Sequence, residues 1–596
     1  MKLRFIGIAA ALGAILAGAA SCIKIHDELG SNFIPTDQIW SVYPCEAVVL
    51  EDITIQRSDS LSGYSTSRFT FGSARSNGFT SNNSTSFTLV PTSNTLDFGT
   101  DTEVLQFHFT AIRDTFSVVF DREKRILQNV YVNPLKKPLD STILYTGTFY
   151  KDEILKDFVH TDRLITNGIP VYDGGDSLSF DFSKEYAQEV IEGIKRWQSL
   201  PVDDKDSLKL YLNEVPGIYI STKAQTEDGG RINMFELPVS EAEGYLEGNY
   251  AELKIRAKYN GRQTDTLFTF IFGPSEFLSE NSMSFPSQFA LNASTNTTEE
   301  GFFNQWNDGT KEKLYVEGGS GYKPVVKAAE IKRIAEELIL PLSNEGIDIE
   351  NLVVNKATII LPYNVGTDYD VLNKYPSILS PTTRLTSKDG KYVTYAGLTD
   401  SSIESENQGN INRSLGHYCP DVSHHIQEIV KLTRGKGEDI DPNETEAEFQ
   451  KRLERYDIWF LIMHEEVQKE ESNNSYNDYY NNLLYNSYYN NMMYDPYGYG
   501  YGYGGYGGYG GYGGYGGYGG YGGYGGYGGY YNNYYNYLMM AQYASASSSS
   551  TETSSIELDK DRFYNTVLNG PGAGGSDIEQ KPRIKITFSA PKKVQK

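Results

Sequence analysis

One short stretch of the 596-residue chain concentrates side chains that can bind a metal ion. Its candidate ligands are His417, Cys419, Asp421, His424 and His425. Imidazole, thiolate and carboxylate groups are the usual ligands of zinc. However, the apolar spacing here predicts a helix, and adjacent helical residues such as His424 and His425 point about 100° apart. Since Asp421 is also better placed as a helix cap, we predict no metal and no cofactor.

Two further patterns resemble parts of catalytic motifs but are incomplete. The glycine-rich residues 317–324 lack the Lys-Ser/Thr end of a phosphate-binding loop and predict a turn between strands. His464 is followed by two glutamates, but the second histidine of a zinc-protease helix is missing. No carboxylate pair stands out among the 77 acidic residues, and no Gly-x-Ser-x-Gly sequence occurs. We predict a protein that is not an enzyme, with glycoside hydrolase as the lowest-ranked alternative.

The chemistry that the sequence does indicate is acylation of a cysteine. A basic start, an apolar run over residues 5–20 and the small residues Ala19-Ala20-Ser21 precede Cys22. This order is typical of a signal peptide, and a cysteine in that place resembles the bacterial lipobox. The alternative is an ordinary signal peptide with a chance cysteine, although the whole chain has three cysteines. We predict a lipoprotein signal peptide at residues 1–21, lipid (palmitate and related acyl chains) on Cys22, and a tether at 22–45.

Composition narrows the class of partner. The formal net charge is −24 and the isoelectric point is about 4.8. An acidic surface repels phosphate backbones, so we expect no nucleic acid partner. It also gains nothing from an anionic membrane, and no later run reaches the ~18 apolar residues of a membrane helix. We therefore expect the lipid on Cys22 to be the single membrane attachment.

Two acidic residues bear on which face of the outer membrane the body occupies. Asp27 and Glu28 follow the lipid site closely, although Lys24 and Ile25 intervene. An acidic cluster after the acylated cysteine resembles the signal by which Bacteroidota send lipoproteins to the cell surface. The alternative is a pair of solvated charges in the tether, which leaves the periplasmic face open. We predict a body that is anchored at the outer membrane and faces the cell exterior.

Export also exposes other side chains to modification. An oxidising compartment permits a disulfide between Cys45 and Cys419, and two free thiols are the alternative.

Five hydroxyl residues follow an aspartate and precede an apolar residue or Thr, a pattern that resembles the Bacteroidota O-glycosylation site. They are Ser60, Ser141, Ser177, Ser207 and Thr266. Chance alone gives roughly two such triplets, so ordinary turn residues remain the alternative.

Alternating apolar and polar residues predict strands over most of the body. In residues 253–259, for example, Leu253, Ile255 and Ala257 alternate with polar residues. Helices are few, and Ser183 is the expected N-cap of one of them. The fold class is therefore mostly β with a few helices (α+β).

A short internal repeat predicts two related lobes. Residues 180–191 and 420–430 share Asp-x-Ser followed by a helical pattern, and each copy is followed by an apolar strand. We expect two β-sandwich-like lobes, each with a helix on a sheet. The predicted boundaries are 46–275 for lobe one, 276–469 for lobe two, 470–555 for an insertion and 556–596 for C-terminal strands that complete lobe two.

The insertion is dominated by Tyr, Gly and Asn and centres on a Gly-Gly-Tyr repeat. Glycine at two of every three positions makes an ordered backbone entropically costly, so we predict a disordered segment. Because strand patterns return after residue 555, it should lie between two strands of lobe two. Its role is open between an inert spacer and a surface contact through tyrosine rings.

Four stretches together resemble one known family. They are residues 22–35, 313–327, 348–363 and 563–589. The family is a group of Bacteroidota outer-membrane lipoproteins, domain of unknown function 4270. The resemblance spans nearly the whole mature chain apart from the tyrosine-rich insertion. It implies a β-rich outer-membrane lipoprotein and no catalytic residues.

These features predict a non-catalytic accessory or binding subunit held at the membrane by its lipid. The expected partners are an outer-membrane β-barrel or other surface lipoproteins. The alternative function is a glycan-binding surface lipoprotein of a nutrient-uptake system.

Overall fold

The computed structural model describes part of the chain between residues 40 and 591. The described ranges are 40–58, 68–76, 79–93, 95–114, 117, 123–139, 152–201, 207–237, 240–242, 245–272, 292–298, 311–344, 347, 349–366, 369–386, 393–398, 400, 409–437, 440–468, 553–559 and 564–591. The signal peptide, Cys22 and residues 470–552 of the predicted insertion lie outside these ranges.

Strands dominate the described residues, which confirms the mostly β fold class. In chain order they are β1 (Trp40–Pro44), β2 (Val48–Val49), β3 (Ile53–Arg57), β4 (Arg68–Ser76), β5 (Phe79–Phe87), β6 (Val90–Pro91), β7 (Thr100–Ile112), β8 (Gln128–Asn129), β9 (Tyr131–Pro134), β10 (Val171–Tyr172), β11 (Ser177–Asp181), β12 (Ile218–Ser221), β13 (Gly229–Glu236), β14 (Ser240–Ala242), β15 (Tyr245–Glu247), β16 (Tyr250–Tyr259), β17 (Arg262–Ile271), β18 (Asn292–Thr298), β19 (Lys313–Glu317), β20 (Tyr322–Val326), β21 (Val353–Pro362), β22 (Ile378–Thr386), β23 (Val393–Gly397), β24 (Ile411–Asn412), β25 (His417–Tyr418), β26 (Ile458–Gln468), β27 (Thr553–Leu558), β28 (Asn565–Asn569) and β29 (Arg583–Pro591).

The α-helices of the described ranges have 7 to 17 residues and are scattered among the strands. They are α1 (Asp152–Phe158), α2 (Lys184–Gln198), α3 (Ser207–Glu214), α4 (Ala328–Asn344), α5 (Ser423–Lys431) and α6 (Glu446–Leu453). Single 3-10 turns occur at Ile349–Asn351, Tyr369–Lys374, Glu454–Tyr456 and Ile578–Gln580. Within the described part of the chain, none of these helices is long and apolar enough to cross a membrane.

Lobe one is a sandwich of two antiparallel sheets around one aromatic core. One sheet has the order β11-β7-β16-β17-β6, and the other has the order β13-β4-β5-β12-β9 with β18 on β5. Phe87 and Phe109 come from opposite sheets, and their ring centroids are 6.0 Å apart. Helix α2 covers the β7 side of this core with Tyr186, Val190 and Ile194. Ser183 caps the helix, as predicted, because its Oγ accepts from the Tyr186 N–H.

The strand pattern of β7 departs from the sequence in one place. Alternation predicts Leu105 on the same face as Phe107 and Phe109. Instead Val104 is buried and Leu105 is half-buried, while both phenylalanines are in the core. A register shift where β7 pairs with β16 accounts for the difference, because a bulge moves the following residue to the other face.

Lobe two is a second sandwich built on the same plan. One sheet has the order β1-β29-β21-β25-β24 with β2 on β29, and the other has the order β23-β22-β26-β20-β3 with β27 on β26. Their inner faces share one core with helices α4, α5 and α6. In β29 the predicted alternation holds, since Ile584, Ile586 and Phe588 are all fully buried.

The first three strands belong to lobe two rather than to the tether or lobe one. Strand β1 pairs with β29 from Trp40–Pro591 to Pro44–Thr587, and β3 pairs with β20. The sequence-based boundaries place residues 40–45 in the tether and residues 46–57 in lobe one. The difference arises because β pairing between the two ends of a chain leaves no local pattern. Lobe one (residues 68–298) is therefore an insertion within lobe two.

The tyrosine-rich region is inserted between two paired strands. Strands β26 and β27 are antiparallel, and Gln468 lies opposite Thr553. The chain thus leaves and re-enters the sheet at neighbouring positions, which keeps the entropic cost of the long connection low. The insertion point agrees with the predicted one, except that β27 already begins at Thr553 and not after residue 555.

The sequence repeat corresponds to a repeated arrangement of elements. In lobe one, β7 lies between β11 and β16, and α2 follows β11 directly. In lobe two, β21 lies between β25 and β29, and α5 follows β25 and packs on β21. The strand after each helical region, β12 or β26, lies in the opposite sheet of its lobe. The two lobes are therefore related β-sandwich-like units.

Candidate functional site

The predicted modification sites differ in accessibility. Cys22, Ser60 and Ser141 lie outside the described residues. Ser177 is exposed at the start of β11, opposite Ile112 of β7. Ser207 is the first residue of α3. Thr266 is half-buried within β17 opposite the fully buried Ile255, so a bulky group there would press on the core.

Cys45 and Cys419 are both free and do not form the disulfide that the sequence left open. The Cys45 N–H donates to Ile586 O on β29, whereas Cys419 directly follows β25. Strands β29 and β21 lie between them, so their Cα atoms are separated by roughly three strand spacings of ~4.8 Å. A disulfide needs Cα atoms within ~7 Å. Burial raises the pKa of both thiols, which keeps them protonated and weakly reactive.

The histidine-rich stretch is a helix start in which each polar residue has a separate partner. His425 is buried, and its Nε2–H donates to Tyr456 O at 2.8 Å. His424 is half-exposed, with its Nδ1 3.8 Å from Glu428. Asp421 accepts from the Ser423 N–H at 2.9 Å. Among the described residues no group of three or more His, Cys, Asp or Glu is placed to hold a metal ion.

Asp400 supplies the true cap of α5 from a distant part of the chain. Its two carboxylate oxygens accept the N–H groups of His424 at 2.7 Å and His425 at 3.0 Å. Val422 occupies the N-cap position and makes no side-chain cap bond, so the predicted cap at Asp421 was incomplete. Burial raises the pKa of Asp400, and the two helix N–H bonds oppose this rise. No local pattern identifies Asp400, because it lies 24 residues before His424.

Lys323, the second residue of β20, has an amine with a strongly lowered pKa and lies against the turn that joins β19 to β20. Lys323 is 1% exposed, and its Nζ donates to the carbonyl oxygens of Glu317, Gly319 (3.0 Å) and Gly321 (3.3 Å). Burial lowers the pKa of Lys323 to about 7, and the Glu317 carboxylate opposes this effect. An amine with such a pKa in a cleft would be a candidate general base or nucleophile. Here its three hydrogens are directed at carbonyl oxygens, so it closes the turn.

Ser58, which directly follows β3, and the Glu317 carboxylate bind the same turn as Lys323. The Ser58 hydroxyl lies 2.8 Å from Gly321 O and 3.1 Å from Gly319 O. The Glu317 carboxylate accepts from the Tyr322 N–H at 3.1 Å. The turn predicted for residues 317–324 is therefore present, and its lysine is a structural donor rather than a phosphate ligand. A lysine within the otherwise apolar run of β20 was the one sequence signal for this role.

A second cluster of buried polar residues joins His464 of β26 to Asp559, which directly follows β27. Asp559 is almost fully buried and accepts from the Tyr564 hydroxyl at 2.9 Å. The His464 Nδ1 is 3.9 Å from the same Asp559 oxygen, and His464 is also buried. A histidine, a carboxylate and a phenol occur together in proton-transfer sites. His464 and Asp559 are both buried. The sequence after His464 lacks the second histidine of a zinc-protease motif.

The chain was compared with protein-family models, curated proteins and solved structures. No protein-family model, no curated protein and no solved structure matches the chain significantly.

The free thiols can be counted directly. We expect a Cys22→Ala variant of the protein, unfolded in denaturant without reductant, to take up two maleimide groups, at Cys45 and Cys419, because both thiols are free. Folded protein should label more slowly at both sites, since burial raises the thiol pKa values. Mass spectrometry of intact protein measures the uptake. Zero uptake before reduction and two after it would show a disulfide and contradict the described geometry.

Replacing Lys323 should destabilise lobe two strongly. The change Lys323→Met removes the ammonium donor from the carbonyl oxygens of Glu317, Gly319 and Gly321, while the Ser58 hydroxyl stays within reach of the last two. We therefore expect a loss of roughly 2 kcal/mol in the free energy of unfolding. Denaturant titration measures it. Lys451→Met, at an exposed position of α6, is the matched control and should change stability little. Equal effects of the two substitutions would refute the structural role of Lys323.

The buried His425 should make stability depend on pH. Burial lowers its pKa from 6.5 to about 4, so the unfolded chain binds the proton first and stability falls as pH drops from 6.5 towards 4. Between pH 7 and 4.5 we expect His425→Gln, which keeps a donor for Tyr456 O, to lose roughly 2–3 kcal/mol less than wild type.

Two features keep this measurement specific. Asp400 and Glu428 have raised pKa values and act in the opposite direction, so wild type and variant must be compared at every pH. His424→Gln, on the exposed side of the same helix, is the control and should follow the wild-type profile. Parallel profiles for wild type and His425→Gln would show that His425 does not remain neutral.

Proposed function

We propose that this protein is a lipid-anchored outer-membrane lipoprotein that serves as a non-catalytic accessory subunit beside an outer-membrane β-barrel. The observation that carries the proposal is Cys22, placed directly after an apolar run and three small residues. The resemblance to the Bacteroidota lipoprotein family supports it. The acidic pair Asp27 and Glu28 supports a body on the cell exterior.

The arrangement of titratable groups supports a binding role rather than catalysis. Three buried groups could in principle take part in acid–base chemistry: Lys323, His425 and Asp400. Each instead forms a hydrogen bond with backbone atoms of its own lobe. A catalytic group must instead present its reactive atom to a substrate. Their perturbed pKa values follow from structural burial in every case.

The position of the tyrosine-rich insertion suits contact with a partner. It is held at both ends by the β26–β27 pair, so its length does not interrupt the core of lobe two. Tyrosine supplies a large contact area with a polar tip. We assign to this insertion the contact with the barrel or with neighbouring surface lipoproteins.

Replacing the acylated cysteine tests the anchor. In cells that make the full chain, Cys22→Ala should abolish incorporation of a palmitate analogue and shift the protein from the membrane to the soluble fraction. Cys45→Ala is the matched control and should retain both label and membrane association. Palmitate label on Cys22→Ala, or membrane retention without any partner, would refute the lipid anchor.

The same strains separate surface display from subunit function. Protease added to intact cells should digest the wild-type body, whereas full protection would place it on the periplasmic face. Mild-detergent purification should recover a barrel protein, and deletion of residues 470–552 should weaken that association. A strictly solitary protein would contradict the subunit role and leave the anchor intact.

A further inference from the structure

The outer face of lobe two is apolar where the tether joins it. In β1 the exposed fractions of Trp40 and Val42 are 49% and 59%, and in β21 that of Val353 is 39%. Val42 and Val353 both pair with Ser589 of β29, one from each side. The three residues therefore form one row across the sheet, about 10 Å wide. Trp40 lies in the next row, opposite Pro591.

The same face becomes charged with distance from Trp40. The row after Val42 contains Pro44, Thr587 and the exposed Lys356, and the next contains Lys585. The outward positions described on β1, β29 and β21 include no Asp or Glu, although the chain carries a net charge of −24. The nearest acidic residues in sequence are Asp37, three residues before Trp40, and Glu46, beyond the end of β1. On the neighbouring segment, Asp421 lies opposite Thr358 in the row of Lys585.

The chain itself keeps this face near the proposed lipid. Cys22 precedes Trp40 by eighteen residues. Such a segment spans at most ~60 Å when fully extended, and roughly 25 Å as a flexible coil. A tethered surface at that range meets the bilayer at a high effective concentration, so weak contacts become significant.

We propose that this tether face, defined as Trp40, Val42, Val353, Lys356 and Lys585, rests on the lipid surface of the membrane that holds the Cys22 acyl chains. The inference depends on the proposed lipid attachment. Indole rings favour the boundary between headgroups and acyl chains. Lysines extend their amines to lipid phosphates while their stems cover apolar surface. Composition alone suggested that the lipid is the single membrane contact. This proposal adds the tether face as a second contact.

A second copy of the chain fits this face less well. Strand β1 has five residues and ends in Pro44, and short edges with proline pair poorly with another strand. Three apolar side chains also cover far less than the roughly 800 Å² per partner of a stable interface. A membrane requires neither a long edge nor a large complementary area.

Fluorescence quenching tests the proposal on the acylated full chain in vesicles of phosphatidylethanolamine and phosphatidylglycerol. Lipids with brominated acyl chains quench indoles that reach the interface. The difference between the wild-type and Trp40→Phe spectra isolates Trp40, and the buried Trp197 and Trp459 serve as internal controls. We expect brominated lipids to reduce the Trp40 component at least about twofold.

The outcomes separate this inference from the anchor. Protein that floats with the vesicles while Trp40 stays unquenched overturns the membrane contact and leaves the lipid attachment standing. Protein that does not float refutes the attachment and the contact with it. Unquenched protein that forms a dimer, and loses it on Val42→Asp, overturns the proposal in favour of an interface between copies.

Discussion

The pairing of the last strand with the first holds the molecule together. Strand β29 lies between β21 on one side and β1 and β2 on the other, so it joins residues from both ends of the chain in one sheet. Its inward side chains Ile584, Ile586 and Phe588 are fully buried. Without β29, strands β1 and β2 would lack a partner, and lobe two would lose one wall of its core. Because lobe one is inserted between β3 and β19, its connection to the tether also depends on this pairing.

Buried carboxylates provide a second set of long-range constraints within lobe two. Asp400 caps α5, Asp457 accepts the Ala328 N–H at the start of α4, and Glu330 accepts the N–H groups of Glu51 and Asp52. Burial raises the pKa of each acid, which shows that desolvation is their main cost. Each bond fixes a helix end or a turn against a segment far away in sequence. Acid-sensitive stability therefore depends on the balance between these acids and His425.

Local patterns predicted those parts of the fold that local physics controls. The alternation in β16 and β29, the Ser183 cap and the insertion between β26 and β27 follow from side-chain period, capping chemistry and composition. The β7 bulge could not be predicted from these local patterns, because a bulge depends on the register of β7 with β16 rather than on residue type. The domain boundaries failed at residues 40–57, and at residues 292–298, which were assigned to lobe two but pair with β5 of lobe one. In both places the partner strands lie hundreds of residues away.

The candidate site shows the same division. A clustering of histidines suggested metal chemistry, and adjacency on a helix was enough to argue against it. The roles of Asp400 and Ser58 could not be predicted from the sequence, because these residues meet their partners through tertiary contacts alone. The glycine-rich turn was recognised as a turn, but its lysine gained meaning only when the carbonyl oxygens of Gly319 and Gly321 were seen around it.

The insertion of lobe one has a consequence for how the body stands at a membrane. The covalent path from Cys22 enters lobe two first, through β1, β2 and β3, before it reaches lobe one. Lobe one returns the chain to β19 of lobe two, so both of its connections are carried by the lobe next to the tether. A load on the lipid is thus transmitted through the β1–β29 hydrogen bonds and not through lobe one. Under the proposed lipid attachment, lobe two is therefore the unit next to the anchor, and lobe one and the tyrosine-rich insertion are joined to the tether through it.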